Sequence, residues 1–179
     1  MKQLHVKIVG LFLVFLSLSC SSIQENPLTE QPQQVDSLKN SKILIVYLSR
    51  TKNTKALAEM IHQTVGGDLV PIELVTPYPE DYHTLVAQAQ REQETGFLPP
   101  LKTKIDSIGK YDVVFVGFPT WGMQLPTPVK SFLSQYDLSG KTVIPFNTNA
   151  GYGLGNSIES IHSLCPKSNI LQEYSTRGG

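Results

Sequence analysis

Several common ingredients are scarce or missing in this sequence. Cysteine is almost absent, with Cys20 and Cys165 the two in 179 residues. That excludes a disulfide-dense scaffold and a zinc site built on paired cysteines. The four histidines, His5, His62, His83 and His162, are far apart and stand beside no cysteine at ligand spacing. His62, His83 and His162 therefore read as ordinary helical residues. Excess charge is missing as well. Fifteen Lys and Arg balance fifteen Asp and Glu, and no run of like charge forms a basic arm, so nothing points to nucleic acid. The longest apolar run, IVGLFLVFLSL at 8–18, is 11 residues, against about 20 needed to span a bilayer. There is no GxxxxGK[ST] loop, and no nucleophile with a paired histidine and acid that would suggest a hydrolase. What remains is 40% hydrophobic and 17% charged, the balance of a globular chain long enough for one domain with a core and an extra segment.

The extra segment is at the start. Lys2 and Lys7 precede or open the apolar run, and small residues lead to Cys20. A cationic head, a short apolar stretch and small residues make a secretory signal over 1–20. Ser19–Cys20 resembles the lipobox of bacterial lipoproteins. That resemblance implies that Cys20 is acylated and that the mature chain is an exported, membrane-anchored lipoprotein. Ser21 after it, rather than aspartate, implies the outer membrane. The alternative is an ordinary cleaved signal with an incidental cysteine. With lipid on Cys20, Cys165 has no disulfide partner. Loss of Lys2 and Lys7 leaves 13 basic against 15 acidic side chains, net −2. Residues 21–41, polar and rich in Gln with interspersed Pro, read as a flexible tether, able to reach on the order of 70 Å when extended.

From residue 42 onward, strand and helix patterns alternate. KILIVYLS (42–49) is a continuous apolar run suited to a strand buried on both faces. Residues 53–67 carry apolar positions at helical spacing and end in Gly66–Gly67. DLVPIELV (68–75) is a strand that Pro71 assigns to an edge. Residues 78–96 begin as loop and become a polar helix. YDVVFVGFP (111–119) is the most apolar strand, hence central. TPVKSFLSQY (127–136) is a helix with Pro128 in its first turn. KTVIPFNTN (141–149) is a strand, GNSIESIHSLC (155–165) a helix and NILQEYSTR (169–177) a fifth strand. This alternation predicts an α/β fold, a parallel sheet with helices on both faces. Ligand loops then lie at the carboxyl ends of the strands.

Three loops follow strand ends there, and the unusual residues are in them. The first, SRTKNTK (49–55), opens a helix. Free amides at a helix start, with hydroxyls from Ser49, Thr51 and Thr54, suit a terminal phosphate. Thr51 or Asn53 acting as a plain helix cap explains the loop equally well. The second, GFPTWGMQLPTP (117–128), presents the one tryptophan, Trp121. In a loop it suits stacking against a planar aromatic ligand better than core packing. The third, NTNAGYGLGNS (147–157), has Gly151, Gly153 and Gly155, which permit close backbone approach and inward-facing amides. Its spacing is one residue off GxGxxG, since Asn156 stands at the last glycine, so the dinucleotide reading is weak.

Taken together, the three loops resemble those of the flavodoxins, and the resemblance spans residues 42–179. Ser49, Thr51 and Thr54 match the phosphate loop S/T-x-T-G-x-T, with Lys52 at its glycine. PYPEDY, YDVVFVGFPTWGMQLPTPVKSFL and GKTVIPFNTNAGYGLGNSIESI are similar to one branch of flavodoxin-like proteins. The resemblance implies a three-layer, doubly wound parallel sheet of five strands in the order 2-1-3-4-5, and FMN as cofactor. It implies that Ser49, Arg50, Thr51, Asn53 and Thr54 hold the phosphate. Pro119, Thr120, Trp121 and Gly122 would line the ring, and Thr148, Asn149, Gly151, Tyr152 and Gly153 would bind or flank its pyrimidine edge. The closing helix of the family has no counterpart after 177, so one sheet face beside the first helix is expected to be partly bare. The implied activity is electron transfer, to redox partner proteins or a small-molecule acceptor. The near-neutral charge implies a reduction potential less depressed than in strongly acidic flavodoxins. Alternatives are an NAD(P)H-dependent quinone or flavin reductase on the same fold, and a tethered non-redox binding domain. A phosphoacceptor receiver domain is excluded, since YLSR and VGFP stand where its acids belong.

Overall fold

A computed structural model describes Leu38 and residues 40–178. The expected signal segment, Cys20 and nearly all of the expected tether lie outside the described residues. The elements are β1 (Ile43–Tyr47), α1 (Asn53–Val65), β2 (Asp68–Pro71), α2 (Tyr82–Thr95), β3 (Val113–Pro119), α3 (Thr127–Gln135), β4 (Thr142–Asn149), α4 (Ser157–Leu164), β5 (Asn169–Ile170) and β6 (Tyr174–Arg177). All strand pairings among them are parallel, in the order β2-β1-β3-β4-β5, with β6 also on β4. This is the doubly wound flavodoxin-like order, with β3 at the centre.

Strand periodicity sorts the core into two layers. Leu44, Val46, Leu48, Val114, Val116 and Phe118 point to one face, where Val129, Phe132 and Leu133 of α3 and Ile161 of α4 cover them. Ile43, Ile45, Tyr47, Val113, Phe115 and Phe146 point to the other, against Ala58, Leu57, Ile61 and Val65 of α1. Phe118, Phe132 and Phe146 are fully buried, and each such side chain contributes about 1.5–3 kcal/mol by leaving water. Leu38, at the end of the expected tether, also packs on the α1 side. The cover thins towards the last strand, where Tyr174, in register with Phe146, is exposed.

The fifth strand is a correction to the single run expected over 169–177. It is split into β5 and β6, with Leu171, Gln172 and Glu173 between them. The cause is Pro145 of β4. The carbonyls of Val143 and Asn149 accept from Leu171 and Gly178, so alternate residues of β4, Pro145 among them, face the fifth position. Pro145 has no N–H to donate there. Val143 pairs Ile170 and Phe146 pairs Tyr174, so three residues oppose two and the edge bulges. β2 is also shorter than its expected 68–75. Beyond Ile72 the chain bonds instead to 100–103, through the Leu74–Leu101 bridge and the Lys102 amide to the Glu73 carbonyl.

Candidate functional site

β1 lies between β2 and β3 and the strands run parallel, so the loops after β1, β3 and β4 gather at one end of the sheet. In the first, Lys52 takes a left-handed conformation, φ 69°, at the N-cap of α1 and makes no side-chain cap bond. The turn that a glycine would ease is therefore kept with lysine. Ser49 Oγ accepts from the Lys55 amide at 3.2 Å, and the Ala56 amide reaches the Lys52 carbonyl at 2.8 Å. Among the described residues nothing caps the amides of Asn53 and Thr54. Thr51 is exposed, and Asn53 lies against Gly178 rather than over the helix end. The plain-cap explanation for either residue therefore fails.

Thr54 is 2% exposed, and its hydroxyl meets that of Thr148, at the end of β4, at 2.8 Å. Thr148 thus stands beside the first loop. Arg50 turns away from the α1 N-terminus. Its guanidinium donates to the Glu80 carbonyl at 3.1 Å and lies 5.6 Å from the Tyr82 ring centre.

The second loop is a tight hairpin. Trp121 and Gln124 exchange backbone hydrogen bonds at 3.2 and 3.0 Å. Gly122 and Met123 between them have φ of 56° and 59°, the requirement of a two-residue primed turn. Trp121 is half-buried, with Tyr78 edge-on to it at 5.4 Å. Pro119 and Thr120 lead into the hairpin, and the Thr120 amide donates to the Thr148 carbonyl at 3.2 Å.

The third loop braces the second. The Thr120 hydroxyl donates to the Gly153 carbonyl at 2.8 Å, and the Asn156 amide to the Met123 carbonyl at 3.0 Å. Gly155, φ 57°, passes so near that a Cβ would sit 1.9 Å from the Met123 oxygen. The amides of Gly151 and Gly153, expected to face a ligand, instead both donate to Asn149 Oδ1, at 2.8 and 3.2 Å. Tyr152 projects into solvent, 77% exposed.

A cleft of about 660 Å³ opens between the first loop, the hairpin and α2. Arg50, Thr51, Thr54, Pro119, Thr120, Trp121 and Gly122 line it, so seven of the expected residues converge there. The other seven, Ser49, Asn53, Thr148, Asn149, Gly151, Tyr152 and Gly153, lie outside its lining. The far wall is α2, through Tyr82, Leu85, Val86, Ala89, Gln90 and Gln93. That wall was missed in the sequence, although Leu85, Ala89 and Glu92 fall at helical spacing. Behind it Glu92, 5% exposed, accepts from the hydroxyls of Tyr78 and Thr127, both at 2.5 Å, and from Gln88 at 2.9 Å. Burial, followed by the bond to Glu92, pushes the Tyr78 phenol well above its ordinary pKa.

The flavodoxin family profile matches residues 42–175. The chain belongs to the flavodoxin family. Among solved structures, this flavodoxin is similar to a candidate flavoprotein of Bacteroides eggerthii DSM 20697, at 36% identity and TM-score 0.70, covering 76% of this chain and 88% of that one. A second candidate flavoprotein, of Bacteroides uniformis ATCC 8492, shares 27% identity at TM-score 0.71, over 78% and 92%. A flavoprotein of Lactobacillus acidophilus NCFM, solved in complex with FMN, has the same fold at 23% identity and TM-score 0.67, over 77% and 93%. No curated protein matches the chain.

Proposed function

We propose that this flavodoxin binds FMN and carries electrons, anchored to a membrane through lipid on Cys20. The observation that carries the cofactor reading is the uncapped start of α1. Two helix amides without a side-chain cap, in a segment that also carries the hydroxyls of Ser49, Thr51 and Thr54, offer a terminal phosphate what it needs: donors and the positive end of a helix dipole. The half-buried Trp121 on the cleft wall fits a planar ring, and membership of the flavodoxin family supports the same cofactor.

When bound, FMN supplies one- or two-electron transfer. The chain's residues do the rest. Ser49, Thr51, Asn53 and Thr54 hold the phosphate. Arg50 closes the rim between the first loop and α2, where its charge attracts an anion. Pro119, Thr120, Trp121 and Gly122 hold one face of the ring and exclude water from it. Thr148 completes the phosphate end through Thr54, while Asn149, Gly151, Tyr152 and Gly153 flank the pyrimidine edge and keep the hairpin in place. The redox partners are proteins or small acceptors that reach the exposed rim.

The test is the flavin released from purified protein, identified by mass. FMN is expected. FAD as the main species, or a protein that takes up no flavin on reconstitution, overturns the reading. Steady NAD(P)H oxidation by the protein alone would favour the reductase alternative over a carrier.

A further inference from the structure

We propose that Glu92 is a positioning residue of the ring site, fixing Trp121 through Tyr78; this rests on the ring-binding reading above. The starting point is a charge in an unusual place. Glu92 lies on the buried side of α2, and no cation pairs with it among the described residues. A buried carboxylate is tolerated only where donors surround it. Here Oε2 accepts from Tyr78 and Thr127, and Oε1 from Gln88. Thr127 is the first residue of α3, and Pro126 before it provides no side-chain cap. The carboxylate therefore also sits at the positive end of a nine-residue helix.

Proton counting sets the direction of the network. Tyr78 and Thr127 have one hydroxyl proton each, and both are directed at Glu92 Oε2. The 3.2 Å contact between the two hydroxyls then has no proton left and is a consequence of sharing one acceptor. Glu92 accepts from all three partners; an apolar side chain of similar size accepts from none, whereas glutamine could still accept from both hydroxyls and meet Gln88 with that amide turned over. The Tyr78 ring is thereby held at its hydroxyl end, and its ring meets the indole of Trp121 edge-on, at an interplanar angle of 77°. The same carboxylate ties α2, the far wall of the cleft, to the start of α3, which follows the hairpin. One buried anion therefore sets the spacing of the cleft and the tilt of its aromatic wall.

Trp121 is the one tryptophan in the chain, so its fluorescence reads this geometry directly, with or without flavin. In E92L, which offers no acceptor to Tyr78, flavin-free protein should show red-shifted emission and steeper acrylamide quenching. Affinities for FMN and riboflavin should fall together, roughly three- to tenfold, because an aromatic contact is perturbed and the phosphate site is not. A merely structural Glu92 would lower the melting temperature and leave emission, quenching and flavin affinity at wild-type values, and that result overturns the proposal. Should E92L fail to fold, Tyr78→Phe decides. It keeps the ring but removes the bond to Glu92, and an unchanged indole signal in folded Y78F is equally fatal. If the wild-type protein binds no flavin, the function proposed above fails, yet the quenching comparison still decides the role of Glu92.

Discussion

Thr54→Val separates phosphate binding from simple loop stability. The Thr54 and Thr148 hydroxyls are 2.8 Å apart, and each has one proton. One proton is spent between them, so the pair has one left to give to a phosphate oxygen. Valine at 54 keeps the shape, removes the inner hydroxyl and leaves Thr148 without its partner. Loss of this buried bond should cost about 1 kcal/mol of stability, or roughly 3–4 °C in melting temperature for a domain of this size. A hydrogen bond to a charged phosphate contributes roughly 1.5–3 kcal/mol. FMN affinity should therefore fall by about 10- to 150-fold. Riboflavin has no phosphate, and its affinity should move by less than about twofold on the same energy scale. Thr148→Val should match the loss in melting temperature but spare FMN, because Thr54 is then free to donate. Titration of both flavins into both variants checks this. Equal losses for FMN and riboflavin in T54V, or an equal FMN loss in T148V, would refute the assignment of Thr54 to the phosphate.

Other outcomes follow from the same geometry. Trp121→Ala should weaken flavin binding more than Tyr152→Ala, since Trp121 lines the cleft and Tyr152 is 77% exposed; isothermal titration of the two variants would show a reversed order if the stacking residue is misassigned. Gly155→Ala places a Cβ 1.9 Å from the Met123 oxygen in a left-handed conformation that alone costs about 1–2 kcal/mol. It should loosen the Trp121 hairpin, seen as faster amide exchange at Trp121 and Gln124, and unaltered exchange there would contradict the bracing role of the third loop. Cys20→Ser should move the protein from the membrane fraction to the soluble one or leave the signal uncleaved; normal processing with unchanged membrane association would remove the lipid anchor.

The strand pattern and the loop positions were legible in the sequence because each depends on local signals. Apolar runs marked β1 and β3, Gly66 marked the end of α1, and a tryptophan in a loop marked the cleft. What could not be read were pairings over distance. The partner of Thr54 is 94 residues away in sequence. The turn in which Asn149 takes the amides of Gly151 and Gly153 is by contrast local, two and four residues long, and asparagine favours such turns. α2 was read as a polar helix because its exposed faces carry Gln, Arg and Glu, which hides Glu92 on the buried stripe. Two of its three donors, Tyr78 and Thr127, are 14 and 35 residues distant. The break in the fifth strand did have a signal. Pro145 was visible, but its effect depends on which neighbour its missing N–H would face, and that is a property of the assembled sheet.

The two prolines of the sheet bear on how copies of this chain can meet. Ile72 donates to the Tyr47 carbonyl, so residues of β2 two apart from it face β1 and Pro71 faces outward. Its carbonyl on that side already accepts from the Thr103 hydroxyl. On the opposite margin, Pro145 leaves runs of two and four residues in place of one long strand. Neither margin of the described sheet offers a stretch long enough to zip a neighbour's strand onto it. Self-association by sheet extension, the usual route to fibrils, is thereby blocked at both ends. Copies of this chain that meet would have to touch through their helices and loops.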